Sequence, residues 1–305
     1  MSNKVEVLPN VFIQPQVVET ENGKVEYYLS DGEQPVVLIS HGGIGGFDQG
    51  RVLANWIDET KYRILSPSRP GYLGTPLENG PTMEEQADLF AALLDVLKID
   101  KAAVIAASAG GLPGYLFAIR HPDRIWGLIS IDSISGYYEM PETAGPITQA
   151  IFTTQFGQKL IKMIGEKKPA VFLKQIFQAE GYFTKEQITR HIDYALNSPG
   201  ALDFMNGFMN TMNPYAPRKK GTDNDMKQAL TFTHLPVEKI QCPSIIFHGT
   251  LDADVKFYDG VYAYEHIPDC DRHWIEEGSH LGFWLSPNAQ QAQDAASEFL
   301  DKHCP

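Results

Sequence analysis

The chain of 305 residues predicts an α/β fold, a mostly parallel sheet with helices on both faces. Three observations predict it. Apolar runs such as "PVVLIS" (35–40) and "AAVIA" (102–106) lack polar alternation, as strands covered on both faces do. Stretches of helical periodicity separate these runs, and strand–helix alternation of this kind leads to parallel pairing. The rhythm then breaks between about Gly136 and Leu235, where Phe, Met and Gln gather on helical segments without a clear strand. The expected organisation is a core of residues 1–136 and 236–305 with a helical cap, residues 137–235, inserted into it.

The elements follow in order. "QVVETENGKVEYYLS" reads as a hairpin turning at Asn22-Gly23. "PVVLIS" and "YRILSPS" supply the next two strands. "PTMEEQADLFAALLDVLKI" opens with a capping box, Thr82 with Glu85, and puts Met83, Ala87, Phe90, Ala91, Leu94 and Leu97 on one helical face. "AAVIAASAGGLPGYLFAI" (102–119) holds no charge and is long enough for a membrane helix. Gly110, Gly111, Pro113 and Gly114 work against that helix, and hydrocarbon cannot satisfy the backbone groups they would free. The stretch is instead a buried strand over 102–106, a tight turn at Ser108 and a helix to about Arg120, stopped by "HPDR". "GLISI" (127–131), "PSIIFHG" (243–249) and "RHWIEEG" (272–278) complete the strands.

Composition narrows the function. The chain is 43% apolar and 21% charged, as soluble globular proteins are. Its net charge of −13 argues against nucleic acid and against anionic membrane surfaces. Cys242, Cys270 and Cys304 are odd in number and lack metal-ligand spacing, so they read as reduced thiols of a cytoplasmic protein. The start, "MSNKVEVLPNVFIQPQ", has no apolar core of a signal peptide. With no metal set and no dinucleotide fingerprint, no cofactor is expected. The expected partner is a small molecule, and the oligomeric state, homodimer included, stays open.

Ligands of open parallel sheets bind beyond the carboxyl ends of the strands. There the sequence places "HGGIGGF", Ser108, "TLDADV" and "SHLGFW" after four separate strands. A serine hydroxyl attacks only when a base takes its proton, and a strand-to-helix turn holds it where free N–H groups favour developing negative charge. The small residues Ala106, Ala109, Gly110 and Gly111 allow such a turn. Of nine histidines, only His280 lies in a Gly/Ser loop just after the last apolar strand. His41 reads as a brace of its loop, and His248 as a packed strand residue. Three acids compete to orient the base: Asp252, Asp132 at the end of "GLISID", and Asp254, which is otherwise a solvated loop carboxylate.

These motifs resemble those of the α/β-hydrolase superfamily, from the first hairpin to the last helix. "AASAGG" is similar to its G-x-S-x-G nucleophile elbow, with Ala106 in place of the first glycine. "HGGIGG" resembles its oxyanion loop, "HGTLDADV" its acid loop and "EGSHLGFW" its histidine loop. The resemblance implies Ser108 as nucleophile, His280 as base and Asp252 as acid. It puts the oxyanion hole on the amides of Gly43 and Ala109, with Ile44 the near alternative to Gly43. The activity implied is hydrolysis of a small carboxylic ester or lactone through an acyl-enzyme on Ser108.

Other readings stay open: a carbon–carbon bond or amide hydrolase of the same fold, or a ligand-binding protein built on a hydrolase frame. The carbon–carbon bond hydrolases usually carry Asn before the serine and Trp after the histidine, where this chain has Ala107 and Leu281. An amidase holding an amine would need carboxylates in the cap. Glu180, Glu186 and Asp193 could supply them, and no spacing singles one out. "FMNGFMNTMNPY" carries Phe204, Met205, Phe208, Met209, Met212 and Tyr215 at helical spacing, either as core or as a wall of the acyl pocket. The pocket is assigned to Ile44, Phe208, Met212 and Leu281, and Arg218, Lys219 and Lys220 to a solvated loop.

Overall fold

The computed structural model describes residues 4–139, 157, 163–165, 167–198 and 200–305. Among the described residues ten strands form two sheets. The small one pairs β1 (Val5–Leu8) with β2 (Val11–Ile13). The large one has the order β10-β9-β8-β7-β5-β6-β4-β3. In it β3 (Gln16–Thr20), β4 (Gly23–Leu29) and β6 (Arg63–Pro67) pair antiparallel in sequence. From β6 onward, through β5 (Val36–Ser40), β7 (Ala102–Ala107), β8 (Ile125–Ile131), β9 (Ser244–Gly249) and β10 (Cys270–Ile275), every pairing is parallel.

Strand alternation splits the core into two layers. Val37, Ile39, Ile105 and Ile129 face one side, where α1 (Phe47–Leu53) and the last helix, α10 (Ala289–His303), cover them with Phe47, Val52, Ala296 and Phe299. Leu38, Val104, Ala106 and Leu128 face the other, under α2 (Met83–Val96) and α3 (Gly111–Arg120). β5, β7, β8 and β9 are buried along their whole length, which is why they read as unbroken apolar runs. The capping box forms: the Glu85 amide donates to Thr82 Oγ1 at 3.2 Å, and Glu85 Oε2 accepts from the Thr82 amide at 2.9 Å.

The structure departs from the expectation at the end of β10 and near the start of the chain. β10 ends at Ile275 rather than at Gly278, because Glu277 takes a left-handed φ of 54° and the Gly278 amide turns back to Ile275 O. The β1–β2 pair escapes the sequence pattern, since its strands are three and four residues long and leave Val5 and Phe12 exposed.

Between β8 and β9 lie α4 (Pro169–Glu180), α5 (Lys185–Asn197), α6 (Ala201–Asn210) and α7 (Lys219–Ala229), with no strand among the described residues. Residues 140–156, 158–162, 166 and 199 of the expected insertion lie outside the described residues. Two isolated bridges tie the segment to the core: Gly136 pairs with His234 where the segment leaves and returns, and Gly181 pairs with Asp252. The three cysteines are free thiols. Among the described residues, no helix is long and apolar enough to cross a membrane. The last two short helices before the terminus are α8 (Phe257–His266) and α9 (Gly282–Leu285).

Candidate active site

Ser108 stands at the tip of the turn between β7 and α3 with φ 53°, a conformation that strains any residue with a side chain. The surroundings impose it. Ser108 O accepts from the Ile134 amide at 3.1 Å, and Ser133 Oγ holds Ala106 O at 2.8 Å. Ser40 Oγ donates to Gly110 O at 2.8 Å. A Cβ at Gly110 would lie 2.1 Å from Ser40 O, so no larger residue fits there.

His280 lies in the loop after β10, and its amide donates to Glu180 O at 3.1 Å. Its Nδ1 donates to Asp252 Oδ2 at 2.8 Å. Asp252 Oδ1 accepts from the amides of Asp254 (2.8 Å) and Val255 (3.0 Å), which fix the carboxylate behind the ring. Asp132 is turned elsewhere: its Oδ1 accepts from the Gly249 amide at 2.7 Å, and its Oδ2 has no partner among the described residues. Of the three competing acids, only Asp252 bonds Nδ1. Asp254 is not the solvated carboxylate of the alternative reading. Its Oδ1 accepts from Tyr138 Oη at 2.5 Å, and its Oδ2 sits 3.4 Å from His280 Nε2. Among the described residues, neither ring nitrogen of His280 is hydrogen-bonded to Ser108.

This gathering of acids sets the protonation states. Burial disfavours the imidazolium, but the carboxylates of Asp252, Asp254 and Glu180 outweigh it and raise the His280 pKa well above the ordinary histidine value. Desolvation, then the Asp254 charge, pushes Glu180 up to about 8. Burial and the Asp252 charge likewise hold Asp132 well above the carboxylate range.

The "HGGIGG" loop is built differently. The Arg69 amide donates to His41 Nε2 at 3.0 Å, so Nδ1 carries the proton it gives to Gly42 O at 2.8 Å. Burial, then the Arg69 charge, lowers the His41 pKa well below its usual value. His41 is thus a neutral brace, as expected. Arg69 is fully buried, donates through Nε to His41 O at 3.0 Å and pairs bidentately with Asp225 at 2.5 and 2.8 Å. Tyr72 Oη donates to the same carboxylate at 2.6 Å. Arg218 is not in a solvated loop. Only 2% exposed, it donates to Gly45 O at 2.6 Å and to Asp48 at 2.7 and 3.0 Å. Sequence reading missed Arg69, Asp225 and Asp48, because these ion pairs join positions 156 and 170 residues apart.

A cavity of about 880 Å³ brings the candidates together, lined by Gly43, Ile44, Ser108, Ala109, His280 and Leu281. Asp252 sits behind His280. Phe208 and Met212 also reach the cavity, while Phe204 and Met205 turn into the core, so the aromatic and methionine stripe divides between both uses. At the His280 end the lining changes to Tyr138, Glu180 and Asp254.

The family model for the alpha/beta hydrolase fold matches residues 35–164. An alpha/beta hydrolase fold protein from Nakamurella multipartita superposes with a TM-score of 0.88 at 31% identity, covering 94% of this chain and 99% of that one. The chain belongs to the alpha/beta hydrolase fold family. An uncharacterized hydrolase, YcgS, of Bacillus subtilis is 25% identical over 94% of this chain and 98% of its own. A thermophilic esterase from Thermogutta terrifontis shares the fold, with a TM-score of 0.62 at 19% identity, covering 95% of this chain and 99% of that one.

In this alpha/beta hydrolase the departure at Ala106 has a local remedy. The Ala106 methyl points at Gly114 in α3, where a Cβ would approach it to 2.6 Å. Gly114 supplies the room that the missing glycine would have left. One group of three buried residues, Asp132, His248 and Asp252, brings ligand atoms within 4.8 Å of one another. As a metal set it does not fit, because two of its three residues already use their facing atoms, which leaves Asp132 Oδ2 alone without a partner among the described residues. His248 Nε2 donates to Val255 O at 3.0 Å, and Asp252 serves His280 and two amides.

Proposed function

We propose that this hydrolase cleaves a small carboxylic ester or lactone through an acyl-enzyme on Ser108. One observation carries the reading: a serine in left-handed backbone at a strand–helix turn opens into the same cavity as a histidine backed by a buried aspartate. In the first half-reaction Ser108 Oγ attacks the carbonyl carbon while His280 Nε2 takes its proton. That proton then passes to the departing alkoxide oxygen as the carbon–oxygen bond breaks. Water repeats the sequence and releases the acid. Asp252 holds the ring with Nδ1 protonated and stabilises the imidazolium. The amides of Ala109 and Gly43 receive the oxyanion, with Ile44 the neighbouring alternative. Each such donor contributes about 2.7–4 kcal/mol in a comparable site.

In the same reading residues 137–235 form a cap over the cavity, and Phe208, Met212 and Leu281 contact an apolar acyl group. A second reading, an amidase whose substrate carries an amine, is favoured by Glu180, the one of its three candidates that lines the cavity. Labelling with a fluorophosphonate probe tests the chemistry. The expected adduct is on Ser108, lost in Ser108→Ala together with turnover of short p-nitrophenyl esters. An adduct elsewhere in an active preparation would overturn the assignment.

A further inference from the structure

His280 lies between two carboxylates, one at each ring nitrogen. Asp252 takes Nδ1 at 2.8 Å, as a general base requires. Nε2, the nitrogen that must receive the Ser108 proton, instead has Asp254 Oδ2 at 3.4 Å. Asp254 is not placed there by chance of a loose loop. Tyr138 Oη, from the segment after β8, donates to its other oxygen at 2.5 Å, and its own amide is tied to Asp252 Oδ1 at 2.8 Å. The carboxylate therefore has a fixed place, beside the Nε2 edge of the ring at ion-pair distance.

We propose that Asp254, held by Tyr138, is a positioning residue that competes with Ser108 for His280 Nε2 and keeps the base latched. In the latched form Nε2 carries a proton held by the neighbouring Asp254 charge, and the ring cannot accept another from Ser108. The latch opens in two ways. Loss of the Nε2 proton removes the ion pair and leaves a free base. A ligand group that donates to Asp254 also relieves the ring of its partner. The proposal rests on the reading of Ser108 and His280 as nucleophile and base, and extends it by stating when that base is available.

The groups facing His280 set the pH at which the latch opens. Asp252 and Asp254 follow β9, Glu180 closes α4, Asp132 follows β8 and His248 lies within β9. Burial opposes charge on the ring, yet the carboxylates prevail and its pKa stands well above the usual histidine value. Glu180 and Asp132 are themselves raised, by burial and then by their acidic neighbours. An opposite charge within about 4–6 Å moves a pKa by about 1–3 pH units, and Asp254 is inside that range.

The test measures the rate of Ser108 modification by an uncharged fluorophosphonate from pH 5.5 to 9.5, on the full chain and on Asp254→Asn. The rate should rise along a limb whose midpoint lies well above 6.5 in the parent. In Asp254→Asn the midpoint should fall by about one pH unit or more, which makes modification at pH 6.5 about tenfold faster relative to the variant's own plateau. Asp254→Ser replaces the Asn variant if that one does not fold. A variant slower at every pH with an unmoved midpoint would overturn the latch, since a merely structural residue behaves so.

A second measurement needs no activity. In protein labelled with ¹⁵N-histidine, the His280 signals, assigned by their loss in His280→Gln, should titrate at the same midpoint and shift by the same amount in Asp254→Asn. If the probe modifies Ser108 at no pH, the hydrolytic reading falls. The ¹⁵N titration still decides for or against the latch.

Discussion

The two walls of the cavity handle charge in opposite ways. On the side of the "HGGIGG" loop each buried charge is matched: Arg69 pairs with Asp225, Arg218 with Asp48, and His41 is neutral. On the histidine side four acids, Asp132, Glu180, Asp252 and Asp254, face one imidazole. Matched pairs hold their partners and the loop carbonyls they bond in place, so the amides of Gly43 and its neighbours keep one geometry. Surplus carboxylates do the reverse, because they cannot all ionise together in a dry site. One wall is built for fixed shape and the other for a movable proton. An oxyanion hole needs the first property, since its donors act without reorganising. A general base needs the second.

The sharpest break between the acids comes from removing them singly. Asp252→Asn should lower kcat for ester turnover on the order of 10⁴-fold, because an amide at this position imposes the wrong tautomer on His280. Asp132→Asn should do far less, as Asp132 bonds Gly249 rather than the ring. Steady-state kinetics on a p-nitrophenyl ester decides the matter. Should Asp132→Asn prove the damaging change, the acid would sit at the end of β8 and the hydrogen bond to Asp252 would be incidental.

The matched wall should break through stability instead. Arg69→Met leaves Asp225 as a buried charge with only Tyr72 for support, and losses of this kind run to about 3–5 kcal/mol. The double change Arg69→Met with Asp225→Leu should recover much of that loss, because no orphaned charge remains. Glu180→Gln on the opposite wall should instead stabilise the fold at pH 7 and lose that advantage at pH 4, since its carboxyl makes no hydrogen bond among the described residues and burial and the Asp254 charge raise its pKa. Urea unfolding of the four proteins measures all of this. Equal losses in the single and double variants would mean that Arg69 acts through packing and not through its charge.

What the sequence disclosed follows the same division. Strands β5, β7, β8 and β9 were legible because burial on both faces writes itself as an unbroken apolar run. The places of the candidates Ser108 and Asp252 were legible because each follows such a strand at the carboxyl edge of the sheet, whereas His280 follows β10, which is only partly buried, and was legible by its Gly/Ser loop. The paired charges were not. Nothing local marks Arg69 or Arg218 as buried, and Arg218 beside Lys219 and Lys220 reads as solvated until the partner Asp48 is seen. Glu180 and Asp254 were visible as acids, but their approach to one ring depends on where α4 ends over the sheet. Local patterns encode elements, and long-range charge placement is encoded by the tertiary fold alone.

The smallest expected effect concerns the apolar part of the cavity, where neither wall's electrostatics acts. Phe208 and Met212 reach the cavity from α6 and the turn after it, whereas Phe204 stacks on Trp284 at 5.2 Å in the core. Phe208→Ala should therefore shift the ratio of kcat/KM between octanoate and butyrate esters, because each methylene buried on the ring contributes about 0.8 kcal/mol, roughly fourfold. Acetate esters, too short to reach the ring, should change little. Phe204→Ala provides the contrast: it should cost about 3–5 kcal/mol of stability through a core cavity and leave the chain-length ratio where it was. If Phe208→Ala behaves like Phe204→Ala, with lower stability and an unchanged ratio, the outer part of the stripe is core as well and the acyl group lies elsewhere in the cavity.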